Sequence, residues 1–418
     1  MDLKDVRFYT ISCAGLVVFY CVVTWVAQIS GMVLGGMSTQ HPLDPHQPTF
    51  SKWLPESFRP YPSFEGWYFR LLDTESNFSA AVVVATNYAT QESQVTLLFT
   101  SSSKDAELID SSSPASGGGA SSSYKLRTHA RAAMSEYYVF RWRRSSKFEV
   151  GGRRENRRPG EPLGFEWEAP GLGKVNMTAS EARLDITIHG YTLKAHLTKN
   201  VLWDAKRSER GPEGWAKVLP LPTHWYVYSL GSRIEYDFSG PGGSLKRKGV
   251  GLGHSEKNWG IRFPDGHVWF QGFSADNSAQ ILGSIAYYKL GGVKTPYVGA
   301  MGYRSQAVSF DMRSVDIGTY FTDVRMSYRN ADFTVTGVSA SHTIKIHAKA
   351  DFETLSEPIL APVTKVKWDF ACRETFFATV SVEVFEHGLW GLIGDKRLVE
   401  KRTFDHAAFE FGEDLLKT

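Results

Sequence analysis

The sequence predicts an all-β protein built as two antiparallel halves and preceded by one transmembrane helix. Three observations carry this expectation. Thirty-eight Gly and 18 Pro punctuate many short apolar runs, at intervals close to the 8–12 residues typical of all-β proteins. Convincing amphipathic helix is scarce, with residues 407–416 the best short piece. Residues 8–36 carry no charged side chain, which exceeds the roughly 20 residues needed to span a bilayer. At 418 residues, 42% hydrophobic and 13% aromatic, the chain can bury a large core, and its length suits two domains.

The elements follow in order. Residues 1–40 read as an uncleaved signal anchor, spanning from about Phe8 to Leu34, because a secretory apolar region is usually only about 7–15 residues long. A cleaved peptide ending near Val33 and Gly35 is the alternative. Lys4 and Arg7 precede the run and residues 39–51 contain no Lys or Arg, which places the N-terminus on the cytoplasmic side and makes the membrane a partner. Residues 41–62 form a linker whose six prolines hold it extended. The first β domain covers 63–245, with strands expected at 66–72, 80–88, 94–100, 184–188 and 191–197, the last two joined by a hairpin turn at His189-Gly190. Its insert 101–123 holds ten serines and Gly117-Gly118-Gly119, the composition of a disordered loop. The alternating segment from Tyr137 reads as an edge strand leading to a solvated tip. Gly240 to Gly243 marks the break before the second β domain, 246–418, which continues in short strands to the C-terminus.

Composition excludes several classes. The net charge is +3, and the basic run from Arg141 to Arg158 is too short for a nucleic-acid footprint, which makes a whole domain basic. Three cysteines, two of them inside the apolar run, form neither a disulfide framework nor a CxxC pair. Gly251-Leu252-Gly253 ahead of Lys257 lacks the spacing of a phosphate loop. Neither a metal nor a redox cofactor is implied.

Chemistry concentrates between Leu219 and Ser274. There His224, His254, Glu256, Lys257 and Asn258 stand among Trp225, Tyr226, Tyr228, Trp259 and Trp269, the mixture of rings and few polar groups that suits an apolar ligand. If 255–260 is extended, Glu256 and Asn258 share one face while Lys257 and Trp259 take the other. A carboxyl buried among rings is disfavoured as its anion and can serve as an acid. Set against this is an ordinary structural ion pair from Glu256 to Lys257 or Arg262.

His224-Trp225-Tyr226-Val227-Tyr228-Ser229-Leu230, then Glu256-Lys257-Asn258-Trp259-Gly260, Phe263-Pro264, Trp269 and Gln271, together with the upstream Phe64-Glu65-Gly66-Trp67-Tyr68-Phe69-Arg70, resemble the tocopherol cyclase family, itself similar to carotenoid hydratases and fungal lipocalin-like cyclases. The resemblance covers about half of the folded chain; residues 297–418 and 100–162 lie outside it. It implies two lipocalin-like β-barrel halves and a cofactor-independent enzyme that protonates the alkene of a prenylated benzoquinol, whose phenolic oxygen closes a chromanol ring. Glu256 is then the expected acid, with Asn258 its positioning partner and His254 and Lys257 second-rank donors. Trp67, Glu65, His224, Trp225, Tyr226, Tyr228, Trp259 and Trp269 are expected to line the pocket for the quinol or another isoprenoid. A lipid-binding protein without turnover and an isoprenoid alkene hydratase are the rival readings.

Overall fold

The computed structural model describes residues 63–87, 90, 92–100, 133–141, 164–169, 171–207, 210–218, 221–243, 245–388 and 393–417. The expected anchor, the linker, the serine-rich insert and most of the basic run lie outside the described residues. Among the described residues no helix is long and apolar enough to cross a membrane.

The described chain is antiparallel β structure. The first half contains β1 (Phe64–Asp73), β2 (Phe78–Asn87), β3 (Glu92–Thr100), β4 (Ala133–Arg141), β5 (Gly164–Ala169), β6 (Gly173–Thr178), β7 (Ala182–Ile188), β8 (Tyr191–Thr198), β9 (Thr223–Ser239) and β10 (Arg247–Gly260). They form one sheet in the order β4-β3-β2-β1-β10-β9-β8-β7-β6-β5, with the strand begun before Tyr137 at its edge. The second half contains β11 (Gly266–Phe273), β12 (Gln280–Tyr287), a small ribbon of β13 (Lys289–Leu290) and β14 (Val293–Lys294), β15 (Val298–Arg304), β16 (Ser309–Arg313), β17 (Tyr320–Ser327), β18 (Asp332–Val338), β19 (His342–Lys349), β20 (Ile359–Thr364), β21 (Lys367–Gly388) and β22 (Ile393–Glu413). Its sheet runs β16-β15-β12-β11-β22-β21-β19-β18-β17, with β20 added on β21.

Each sheet curls around its own apolar core. Trp67 of β1 stacks on Phe165 of β5 at 4.3 Å between ring centroids, although five strands separate β1 from β5 in the sheet order. The curl follows from strict alternation: β7 and β8 bury Leu184, Ile186, Leu193 and Leu197 and leave Arg183, Asp185 and Lys194 outside, the pattern of a sheet with one wet face. The tight turn between them has His189 at φ 50° and Gly190 at φ 85°. β1, β2 and β11 break this pattern and are buried on almost every residue. Their outward faces meet across a seam between the halves, where Leu98, Val227, Leu230, Trp269, Leu282, Phe376 and Ala408 pack together. Gln94 Nε2 donates to Leu360 O at 3.3 Å, Trp203 Nε1 to Asp311 at 3.1 Å and Arg313 Nε to Pro212 O at 2.8 Å across the same seam.

Two expectations change. β10, assigned above to the second domain, is hydrogen-bonded between β1 and β9, so the chain crosses between sheets at 261–265, and Gly240 to Gly243 turns a hairpin inside the first half. Residues 407–413, read as helix, belong to β22, and only Asp414–Lys417 form a 3-10 turn. Pairing on both sides, with β11 and β21, overrides the helical preference of the local Ala and Glu, and Phe409 and Phe411 enter the second core together.

Candidate active site

Opposed polar rows occupy the middle of the seam. On the second sheet, register aligns His267 with Gly412 and Gly412 with Cys372, then Trp269 with Glu410 and Glu410 with Glu374. On the first, Tyr68 is opposite Glu256 and Arg70 opposite His254. Residues two apart on a strand share a face, so each sheet presents its row to the other.

Glu374 is the centre of the site. It is 1% exposed, and Tyr68 Oη donates to its Oε1 at 2.5 Å, while Oε2 has no hydrogen-bond partner. Burial, and next the carboxyl of Glu410, push its pKa up to about 8; the Tyr68 hydrogen bond and the Arg70 charge pull part of the way back, and Glu256 adds to the rise. Burial is also the first cause holding the Tyr68 phenol well above its ordinary value, with Glu374 next. Burial thus pushes the Glu374 carboxyl toward its neutral form, with Oε1 anchored by Tyr68.

The surroundings fix it in place. Arg70 is fully buried and lies 5.4 Å from the ring centroids of both Phe273 and Phe376. Its guanidinium donates to the Gln271 side chain and to His406 O in the other half, and burial pushes its pKa down to about 10. His254 Nε2 lies 3.0 Å from Glu256 Oε2, and Asn258 Nδ2 donates a long bond of 3.5 Å to Glu256 Oε1. The Trp269 ring stands 5.4 Å from Tyr68 and 6.0 Å from His254. Trp269 Nε1, His254 Nδ1, Gln271 Nε2 and Arg70 Nε share with Glu374 Oε2 the lack of a hydrogen-bond partner. Burying such atoms unpaired costs about 1–3 kcal/mol each.

His267, Cys372 and Glu410 offer donors within 4.8 Å of one another, the ligand types of a zinc site. Here His267 Nε2 is 2.9 Å from Glu410 Oε1 and 3.9 Å from Cys372 Sγ, and burial followed by Glu410 pushes the thiol well up. His267 reaches across β22 only because residue 412 is glycine: a Cβ there would lie 1.9 Å from His267 Cε1. Gly412→Ala is expected to displace the imidazole and cost about 1–3 kcal/mol as an overpacked site, read as a lower denaturation midpoint.

The sequence candidates divide between two places. His254, Glu256, Asn258, Trp225 and Trp269 belong to the outer faces at the seam. Lys257, Glu65, Trp67, Trp259, His224, Tyr226 and Tyr228 belong to the inner face of the first sheet. There Lys257 pairs with Glu65, both fully buried, 5.2 Å from the Trp67 ring and 5.1 Å from that of Trp259. His224 stacks on Trp259 at 5.1 Å and lies 2.9 Å from Glu213, and Trp67 Nε1 donates to Tyr228 Oη at 3.1 Å. A single aromatic pocket holding all of them is therefore corrected, because alternation along β9 sends Trp225 to the opposite side from His224 and Tyr226. The alternative pairing of Glu256 with Lys257 fails for the same reason.

Sequence reasoning missed Glu374 and Glu410, which lie outside the motif-bearing half, and gave Tyr68 and Arg70 no role. Their one signal is a lone polar residue inside an otherwise apolar strand, as in Tyr-Phe-Arg-Leu-Leu of β1. Elsewhere, an open cleft of about 470 Å³ on the outer face of the first sheet is lined by Lys174, Arg183, Asp185, Lys194, Glu235 and their neighbours. It contains none of the seam residues, and its charges are solvated, as with Lys194 and Asp185 at 3.5 Å.

No family model matches the sequence, and no curated protein matches it. Solved structures similar to the chain include an AttH protein from Nitrosomonas europaea, with 12% identity over 88% of this chain and 99% of that one and a TM-score of 0.44. CghA with Sch210972 gives 10% identity over 89% and 94%, TM-score 0.49, and kievitone hydratase from Nectria haematococca 10% over 91% and 100%, TM-score 0.43. Likeness at this level says nothing about chemistry.

Proposed function

We propose that the protein is a cofactor-independent enzyme that protonates an isoprenoid alkene, with Glu374 as the proton donor. The observation that carries this reading is the buried carboxyl of Glu374, whose Oε1 accepts from Tyr68 and whose Oε2 has no hydrogen-bond partner, with burial raising its pKa to about 8. The transfer leaves a carboxylate that Tyr68 and Arg70 stabilise, and a tertiary carbocation that the faces of Tyr68 and Trp269 stabilise by cation–π attraction. The sequence reading gave the proton to Glu256, which lies within hydrogen-bonding reach of His254 and Asn258; we assign the donor role to Glu374. The finer reading, ring closure of a prenylated benzoquinol to a chromanol, rests on the sequence resemblance of 224–230 and 256–260. Residues 8–36 then tether the enzyme to the membrane in which such a quinol dissolves.

The test is to incubate the full-length protein in detergent with a prenylated benzoquinol and a chelator. Chromanol, an isomer of the substrate, is the expected product. A tertiary alcohol heavier by one water identifies a hydratase, and unchanged substrate retained by the protein identifies a lipid-binding protein. Activity lost to the chelator and restored by zinc would move the chemistry to His267, Cys372 and Glu410.

A further inference from the structure

We infer that His254 is the general base of the site, oriented by Glu256, and that it takes the proton of the hydroxyl that closes the ring. The inference rests on the proton-donor reading above. His254 Nε2 lies 3.0 Å from Glu256 Oε2, and the inferred base carries its imidazole proton on that nitrogen, donated to the carboxyl oxygen. That leaves the lone pair on Nδ1, which is buried and has no partner. A buried imidazole with one nitrogen held by a carboxyl and the other free is the arrangement of an oriented base. His254 is fully buried, and its ring lies 6.2 Å from Tyr68, the residue that anchors Glu374, and 6.0 Å from Trp269. Acid and base therefore stand on opposite sheets, each beside Tyr68.

The division of labour balances. The Glu374 Oε2–H bond breaks as a C–H bond forms on the alkene. The resulting cation is taken by the oxygen of the substrate's hydroxyl as its O–H bond breaks, and that proton goes to His254 Nδ1. Product release lets solvent return a proton to Glu374 and remove one from His254, so the cycle is neutral in protons and electrons. An internal hydroxyl suits a seam whose residues are almost wholly buried, where bulk water is not the nucleophile at hand. Glu256 acts through His254 and is a positioning residue.

The experiment compares wild type, His254→Gln and Glu256→Gln on a prenylated benzoquinol in heavy water, measuring chromanol and deuterium in recovered alkene. Gln at 254 keeps a donor for Glu256 and removes the basic nitrogen. Cyclisation in His254→Gln is expected to fall about 10²-fold or more, while the cation still forms and loses a proton again, so deuterated alkene replaces chromanol. Glu256→Gln is expected to shift the same ratio in the same direction by a smaller factor. The ratio is counted per turnover, so partial loss of folded protein does not alter it. A wild-type ratio in His254→Gln overturns the inference. Loss of deuterium uptake together with chromanol in that variant, wild type cyclising normally, also overturns it, since His254 would then serve the acid step or the fold. Neither product nor deuterium uptake in wild type defeats the donor reading itself.

Discussion

Glu374→Gln is expected to lower turnover by about 10²–10⁴-fold, the contribution of a positioned general acid, and at the same time to make the protein more stable at neutral and alkaline pH. The two effects have one cause. Glu374 is held up to about 8 in the folded protein against an ordinary 4.5. Between those values an unfolded chain has lost the proton that the folded one keeps, so unfolding releases a proton and stability falls as pH rises. The penalty is absent below about pH 4, grows through pH 6 and is complete by about pH 8, on the order of a few kcal/mol. Glutamine carries no titrating proton, so the variant's denaturation midpoint is expected to lack that slope. Wild-type turnover, which needs the protonated form, is expected to hold up to about pH 8 and then fall about tenfold per pH unit. A site that merely packs the seam would lose stability on substitution and leave the pH profile unchanged.

Lys257→Met is expected to cost about 3–5 kcal/mol of stability, because it breaks a fully buried ion pair with Glu65 in the first core. Both members of the pair are fully buried on the inner face of the sheet, with Trp67 and Trp259 over the ammonium. Replacing both, as Glu65→Leu with Lys257→Met, is expected to recover most of the loss, since apolar residues of similar volume avoid the desolvation of two charges. Chemical denaturation of the two single variants and the double measures the coupling. A Lys257→Met variant as stable as wild type would mean that Glu65 is neutral in the fold. The pair stands on the opposite face of the sheet from the seam, so seam chemistry in the double variant is expected to persist.

Legibility in the sequence followed alternation. The hairpin around His189-Gly190 was readable because β7 and β8 keep one wet face, and so was the division of Glu256 and Asn258 from Lys257 and Trp259, which the structure reproduces. The pattern could not say what covers the outer face of β10. That face is polar at His254, Glu256 and Asn258, which reads as solvated until the second sheet is laid against it. Tyr68 and Glu374 form their hydrogen bond across 306 residues of sequence, and no local period encodes such a contact. The failure at 407–413 has the same origin: partners on both sides, not local propensity, decide the conformation there. The candidate site was thus half legible, on the sheet where motif residues cluster, and hidden on the other.

The central claim, that Glu374 holds a proton at neutral pH, is tested most directly by infrared difference spectroscopy of the carboxyl C=O band during a pH titration. Wild type is expected to show a protonated carboxyl that ionises near pH 8, retained in Glu256→Gln and absent from Glu374→Gln. A band that survives in Glu374→Gln and vanishes in Glu256→Gln would contradict the account and return the acid to the first sheet.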